Sequence, residues 1–66
     1  MRYNIKKGAL IQSIINSNLK IVEVSKQSKV GIYTMYRIMF TDFKPRAYVV
    51  RRLAKVLKVS MESLIE

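Results

Sequence analysis

The sequence predicts an all-α fold, a compact bundle of about five short helices in a single domain over residues 1–66. Three observations support this prediction. Apolar residues recur three and four positions apart in most segments, which is the spacing of one helix face. Pro45 precedes the broadest apolar face, and proline is favoured in the first turn of a helix. Half of the residues are apolar, so a core is plausible although the chain has no cysteine for disulfides and no histidine for zinc.

The first helix is predicted over residues 5–16, with Asn4 as its N-terminal cap. Its apolar residues recur at spacings of one and four, and such a stripe is more often core than ligand site. We therefore expect four residues of this helix in the core: Leu10, Ile11, Ile14 and Ile15.

Two further helices are predicted over residues 21–28 and 32–40, separated by a break at 29–31 in which Val30 inserts into the core. The inner face of the earlier helix includes two small residues that allow close helix approach: Val24, Ser25 and Ser28. Met35 and Ile38 face inward from the later helix. Its remaining side chains face outward: Tyr33, Thr34, Tyr36 and Arg37.

A fourth helix is predicted after the loop at 41–44, with Pro45 in its first turn. Its broad apolar face consists of Val49, Val50, Leu53, Ala54, Val56 and Leu57. Basic residues line the opposite, solvated face: Arg46, Arg51, Arg52, Lys55 and Lys58. Ser60 is predicted to cap a last short helix.

The chain carries 13 lysine and arginine residues against four aspartate and glutamate residues, a formal net charge of +9. Such a field attracts polyanions, nucleic acid first and an acidic membrane surface second; a merely solubilising surface is the alternative. No apolar run approaches the ~20 residues that span a bilayer, and charges interrupt any signal peptide. We expect a cytoplasmic protein with no membrane partner.

Residues 21–39 thus combine two short helices, a tight turn and an outer face of polar, aromatic and basic side chains. In a basic chain this arrangement is typical of a helix-turn-helix, which lays its second helix into the major groove of DNA.

Individual motifs strengthen that interpretation: Val24-Ser25, Val30-Gly31, Thr34-Met35-Tyr36-Arg37-Ile38, Pro45 and the segment LAKVLKVSMESL at 53–64. Through them the chain resembles the lambda-repressor-like helix-turn-helix family (Cro/C1-type, XRE family), the repressors of phages and mobile elements. The resemblance covers about residues 5–66 and is most specific in the C-terminal segment.

The sequence also departs from the family pattern. Lys29 replaces the turn glycine and must carry any left-handed backbone geometry at some cost. Gly31 replaces a serine or threonine cap, which weakens the start of the third helix. Met39 replaces a glutamate whose arginine partner on the first helix is here Ile14 or Ile15, so packing replaces an ion pair.

In the family the first turns of the third helix enter the major groove. The resemblance therefore implies four base-contacting residues: Ile32, Tyr33, Thr34 and Arg37. Arg37 can bind guanine O6 and N7 in a bidentate fork, and Ile32 and the Thr34 methyl can contact thymine methyl groups. The alternatives are a solvated Arg37, a Tyr33 packed on its own helix and an Ile32 in the core.

The resemblance also implies contacts at the flanks and phosphates, near the N-termini of the second and third helices, whose backbone amides favour anions. The side chains concerned are Tyr36, Lys20, Lys29, Lys44 and Arg46.

The implied function is sequence-specific binding of double-stranded DNA by a transcriptional regulator, a repressor of phage or mobile-element type. It would lie with the nucleoid, form a homodimer on its operator and need no cofactor or metal. With no histidine, no cysteine and four scattered carboxylates, the sequence does not suggest an enzyme. The chain is equally compatible with the N-terminal domain of a longer repressor.

A different function class remains open because Ile21 and Val22 are apolar where relatives are polar. With Tyr48 or Phe43 they would form an exposed patch for a protein partner. The fold would then be a protein-interaction module, such as an antirepressor, antitoxin or modulator, with secondary DNA contact. Local repacking that buries both residues is the other possibility.

Overall fold

Four α-helices and a single-turn 3₁₀ helix follow one another in the computed structural model, which describes residues 2–66, so that residue 1 of the predicted domain lies outside it. No strand is found among these residues, which confirms the all-α prediction, and the fold measures 28 × 22 × 19 Å. The helices are α1 (Lys7–Ser17), α2 (Ile21–Ser28), α3 (Ile32–Phe40) and α4 (Ala47–Leu57), followed by the 3₁₀ helix (Met61–Ser63).

The core is one cluster to which every α-helix contributes. Helix α2 packs against α3 and α4, α1 packs against the same two helices, and the 3₁₀ helix packs against α4. The largest apolar side chains that are fully buried are Leu10, Met35, Ile38, Leu53, Leu64, Val24 and Val50. Each contributes roughly 1.5–3 kcal/mol through apolar burial. No helix among the described residues is long and apolar enough to cross a membrane.

Helix α1 begins at Lys7, two residues later than expected, and Asn4 is not its cap. The N-cap is Lys6, whose side chain has no acceptor for a backbone amide. Residues 2–6 instead form an extended segment held by two other parts of the chain. Tyr3 N–H donates to Pro45 O at 2.9 Å, and Lys6 N–H donates to Leu64 O at 2.8 Å. These backbone bonds explain why the helix cannot extend further towards the N-terminus.

The expectation that all four isoleucines and leucines of the α1 stripe are core is wrong for two of them. Leu10 and Ile14 are buried, whereas Ile11 and Ile15 remain 38% and 61% exposed because α3 and α4 cover only one side of α1. The burial also fixes the register left open by the sequence. Ile14 and Met39 both belong to the core cluster, whereas Ile15 lies outside it.

The prediction for Pro45 is also wrong. It precedes Arg46, the N-cap of α4, and lies outside the helix. Pro45 is fully buried, and its carbonyl accepts the Tyr3 amide, so the proline ring fills the core while its oxygen holds the N-terminal segment. Ser60 caps the last helix as expected, accepting Ser63 N–H at 3.3 Å, although that helix is a 3₁₀ turn.

The turn between α2 and α3 is built from two buried serines and one left-handed residue. Lys29 has φ 59°, which confirms that it takes the conformation glycine would have supplied. The Ser25 hydroxyl donates to Val30 O, and the Ser28 hydroxyl donates to Val24 O at 2.6 Å. Val30 is buried as predicted. The Ser25 bond supplies a donor to a carbonyl of the turn, and the Ser28 bond turns its hydroxyl back onto the last turn of α2.

We expect Ser25→Ala to lower the free energy of unfolding by about 1–3 kcal/mol, because the Val30 carbonyl then stays buried without its donor. Urea denaturation followed by circular dichroism measures the change. Ser13→Ala is the matched control, since the Ser13 hydroxyl bonds to Ala9 O within its own helix. Equal effects of the two substitutions would contradict a special role for the Ser25 bond.

Candidate nucleic-acid interface

The outer face of α3 carries large exposed side chains at helical spacing. Tyr33 is 81% exposed, Tyr36 42% and Phe40 69%, and Arg37 is exposed beside them. Tyr33 is therefore not packed on its own helix. The rings of Tyr36 and Phe40 lie 6.1 Å apart. This face is open to a partner along two turns of helix.

Ile32 and Thr34 are half-buried at the start of α3. The core cluster does not include Ile32, so the expected alternative of a core isoleucine is not what the structure shows. Gly31, the N-cap, has no side chain to accept an amide, which leaves the first amides of α3 free to bind an anion. Packing does not demand this glycine: its φ is −57°, and an added Cβ would meet only Thr34 Oγ1 at 3.9 Å.

Arg37 makes no ion pair with any of residues 2–66, and its guanidinium does not extend freely into solvent. Its guanidinium lies over the ring of Phe43, with the carbon 4.1 Å from the ring centroid. The Arg2 guanidinium carbon lies 5.6 Å from the same centroid. Stacking on a ring uses the face of a guanidinium and leaves its in-plane N–H groups able to donate. The geometry is compatible with the bidentate base contact expected of Arg37.

A basic cavity of about 240 Å³ opens between the N-termini of α3 and α4. The basic residues lining it are Arg2, Lys29, Arg46 and Arg52, and they surround Gly31, Thr34, Phe43 and Tyr48. Among residues 2–66 no aspartate or glutamate lines it. Because two helix N-termini and four cations converge there without a carboxylate, the basic cavity attracts anions.

Not every predicted phosphate contact lies at this cavity. Lys29 and Arg46 line it, while Lys44 lies beside a different opening of about 540 Å³ together with Asp42 and Glu66. Lys20 is the N-cap of α2, where its backbone N–H donates to Glu23 Oε1 at 2.9 Å. The Glu23 carboxylate thus occupies the N-terminus of α2, which makes that terminus a poorer phosphate site than α3.

Three residues that line the basic cavity were not identified from the sequence. Arg52 was assigned to the solvated face of α4, Arg2 to no site, and Phe43 to an apolar patch. The proximity of α4 to the start of α3 depends on tertiary packing, so only the general basic charge could have indicated Arg52. The hydrogen bonds that hold residues 2–6 join distant parts of the chain, so no local sequence pattern could have indicated the position of Arg2.

Almost none of the positive charge is neutralised within the fold. Lys7 and Asp42 form the one ion pair found in residues 2–66, with Nζ 3.8 Å from Oδ1; the Asp42 side chain is fully exposed and the Lys7 side chain is 40% exposed. Such a pair is worth at most about 1 kcal/mol. The charges on α3, α4 and residue 2 therefore remain available to an external polyanion.

The proposed apolar patch is only partly present. Ile21 is half-buried and packs against the core, whereas Val22 is 49% exposed. Phe43 is covered by the two arginines, and the Arg52 guanidinium carbon lies 5.3 Å from the centroid of the Tyr48 ring. The repacking alternative therefore holds for Ile21, and Val22 alone stays as an exposed apolar residue of the pair.

Comparison of the chain with protein-family models, with curated proteins and with solved structures gives no match.

Lys29 and Lys58 form a matched pair, since both end a helix with left-handed φ values of 59° and 58°. We expect Lys29→Gly and Lys58→Gly each to stabilise the fold by about 0.5–1 kcal/mol, because glycine adopts this conformation without a Cβ clash. Thermal and urea unfolding measure both. A loss of stability at either position would show that the lysine side chain contributes more than its backbone strain costs.

Proposed function

We propose that this protein is a sequence-specific double-stranded DNA-binding regulator, a repressor of the lambda-repressor-like (Cro/C1-type) helix-turn-helix class. The observation that carries the proposal is the juxtaposition of the exposed α3 face with the basic cavity, whose four cations are free of carboxylate neighbours in residues 2–66. An open helix face beside a phosphate-binding cavity suits a duplex groove and its adjoining strand.

In this proposal α2, the turn at 29–31 and α3 form the helix-turn-helix. Helix α3 lies in the major groove, and α2 crosses the sugar-phosphate backbone. The short turn supports this arrangement because Val30 anchors it in the core while Lys29 points outward beside the cavity.

Base recognition is assigned to the first turns of α3. Tyr33 is the most exposed of these residues, and its hydroxyl can bond a base edge or a phosphate. Arg37 donates its in-plane N–H groups to guanine, while Ile32 and the Thr34 methyl contact thymine methyl groups. Tyr36 lies at the flank of this surface.

Phosphate binding is assigned to the basic cavity and its surroundings. Lys29, Arg46 and the amides at the start of α3 hold one strand, and Lys20 and Lys44 supply charge further away. Such contacts fix the register of a protein on DNA and carry no sequence information themselves. Two copies of the chain on inverted half-sites about one helical turn apart would complete an operator complex.

Selection of bound duplexes from a random DNA library at near-physiological salt tests the proposal. We expect a defined motif with the wild-type protein and loss of preference at one or two base pairs with Arg37→Ala, a loss of roughly 1–3 kcal/mol of discrimination. Arg51→Ala is the charge-matched control, because Arg51 is exposed on α4 and does not line the basic cavity. Affinity should also fall steeply with salt.

Two results would contradict specific DNA binding. If no motif is enriched while bulk binding is retained, the positive charge serves only general affinity for DNA. A salt response that stays flat would exclude phosphate neutralisation altogether. Lys29→Gly and Lys58→Gly test whether the basic cavity binds phosphate. Both remove one charge from an equivalent backbone position, but only Lys29 lines the basic cavity, so only Lys29→Gly should weaken DNA binding appreciably.

The alternative proposal is a protein-interaction module, favoured by the exposure of Val22 on α2. Val22→Asp should then abolish capture of the partner repressor, toxin or polymerase while leaving DNA selection intact. Gln27→Glu is the control, because it adds the same negative charge at another exposed position of α2. Loss of DNA selection with Val22→Asp, at unchanged stability, would assign Val22 to the DNA surface instead.

A further inference from the structure

We propose that Arg2 is a phosphate-contacting residue of the DNA interface and that Phe43 is the positioning residue that holds Arg2 and Arg37 together. This inference rests on the proposed function and extends it to the N-terminal segment. Its basis is the unit formed by the three side chains, in which one ring organises two guanidinium groups at 5.6 and 4.1 Å.

The backbone places Phe43 at this position through Thr41. The Thr41 hydroxyl donates to Arg37 O, and Thr41 Oγ1 in turn accepts the Phe43 N–H at 3.1 Å. The residue bearing the ring is thereby tied to the residue bearing the guanidinium, and the loop after α3 turns back beneath Arg37. Phe43 is half-buried, so its ring is supported by the fold on one side.

Arg2 is fixed independently. Its Nη1 donates to Lys44 O at 2.8 Å, and its backbone pairs with that of Arg46 in an isolated β-bridge. The following residue bonds to Pro45 O at 2.9 Å. The end of the chain is therefore held against the loop that carries Phe43, and Arg2 lines the basic cavity together with Lys29 and Arg46.

Two guanidinium groups beside one ring repel each other, and an anion next to them offsets that repulsion. Residues 2–66 place no carboxylate at the basic cavity, which Arg2 lines, so a phosphate group of DNA supplies the offsetting charge in the complex. A guanidinium carries five N–H donors, and Arg2 uses one on Lys44 O, which leaves donors for phosphate oxygens. Successive phosphates of a strand lie about 3.4 Å apart along the helix axis. One short stretch of backbone can therefore contact Arg2 and the other cations of the basic cavity together.

Holding both arginines on one ring also prepares them for binding. Long side chains lose rotamer freedom when they bind, and stacking removes much of that freedom beforehand. Phe43 therefore contributes to affinity without touching DNA. This separates its role from that of the two arginines, which act through charge and hydrogen bonds.

The test is a salt titration of binding to the selected duplex and to a random duplex. Arg2→Gln should lower the slope of log affinity against log salt by about 0.9 and weaken both duplexes to the same extent, roughly tenfold at 0.1 M salt. Lys58→Gln removes the same charge outside the basic cavity and should change the slope little. Equal effects of the two variants would overturn the proposal for Arg2.

Phe43→Leu keeps every charge and should weaken binding several-fold without changing the salt slope. Arg2→Gln should then cost less affinity in the Phe43→Leu background than in the wild type, because the two side chains act together. Phe43→Tyr retains the ring and should restore affinity. Independent, additive effects, or no rescue by tyrosine, would overturn the positioning role.

Circular dichroism and thermal melting of each variant separate effects on folding from effects on binding. If Phe43→Leu unfolds, Arg2→Gln still tests the role of Arg2, because this residue is exposed. A failure of the proposed function itself looks different. The wild-type protein would then bind no duplex, or bind without salt dependence, before any variant is compared.

Discussion

The buried bond from the Ser25 hydroxyl to the Val30 carbonyl determines how the chain leaves α2 and enters α3. The outward direction of the α3 side chains depends on this turn, in which the Ser25 bond, the Ser28 bond and the left-handed Lys29 act together. A turn one residue longer or shorter would rotate α3 by about 100°, so that Met35 and Ile38 would no longer face the core. The chain has no cysteine and therefore no disulfide to restore the arrangement, so the outer face relies on these few local contacts.

The second constraint is electrostatic. A domain this small keeps thirteen cationic side chains and pairs one of them with a carboxylate in the described chain. Aromatic rings take part of the role that carboxylates have elsewhere: Phe43 and Tyr48 attract guanidinium groups without cancelling their charge. The protein thus orders its arginines and still presents a positive potential to an external anion.

Local patterns in the sequence were sufficient for α2, the turn and α3. Apolar spacing predicted the inner faces because it depends on neighbours within one or two helical turns. The left-handed geometry at Lys29 was expected from the family resemblance, in which a glycine stands at this turn position. The same reasoning failed at Ile11 and Ile15, since periodicity indicates a face but not how much of it the neighbouring helices cover.

Long-range pairing accounts for the other differences. Asn4 was predicted as a helix cap, whereas its carbonyl accepts the Glu66 amide from the far end of the chain. The basic cavity needs Arg2, Lys29, Arg46 and Arg52, which come from three separate segments: the N-terminal segment, the turn after α2, and α4 with its N-cap. Only Lys29 and Arg46 could be assigned from the family resemblance, and the contribution of Arg2 depends on a bond that spans 42 positions of sequence.

The extended segment at residues 2–6 also affects how the protein folds. It is held by Pro45 and Leu64, and its own residue Ile5 pairs directly with Ile65, so none of these bonds can form until the chain has closed a large loop. Loop closure of this length is entropically unfavourable and slows the contacts that depend on it. The bonds that hold the segment all join it to residues that follow it by 42 positions or more. The place of residue 2 in the basic cavity therefore depends on slow, long-range contacts, whereas each α-helix can form from its own neighbours in sequence.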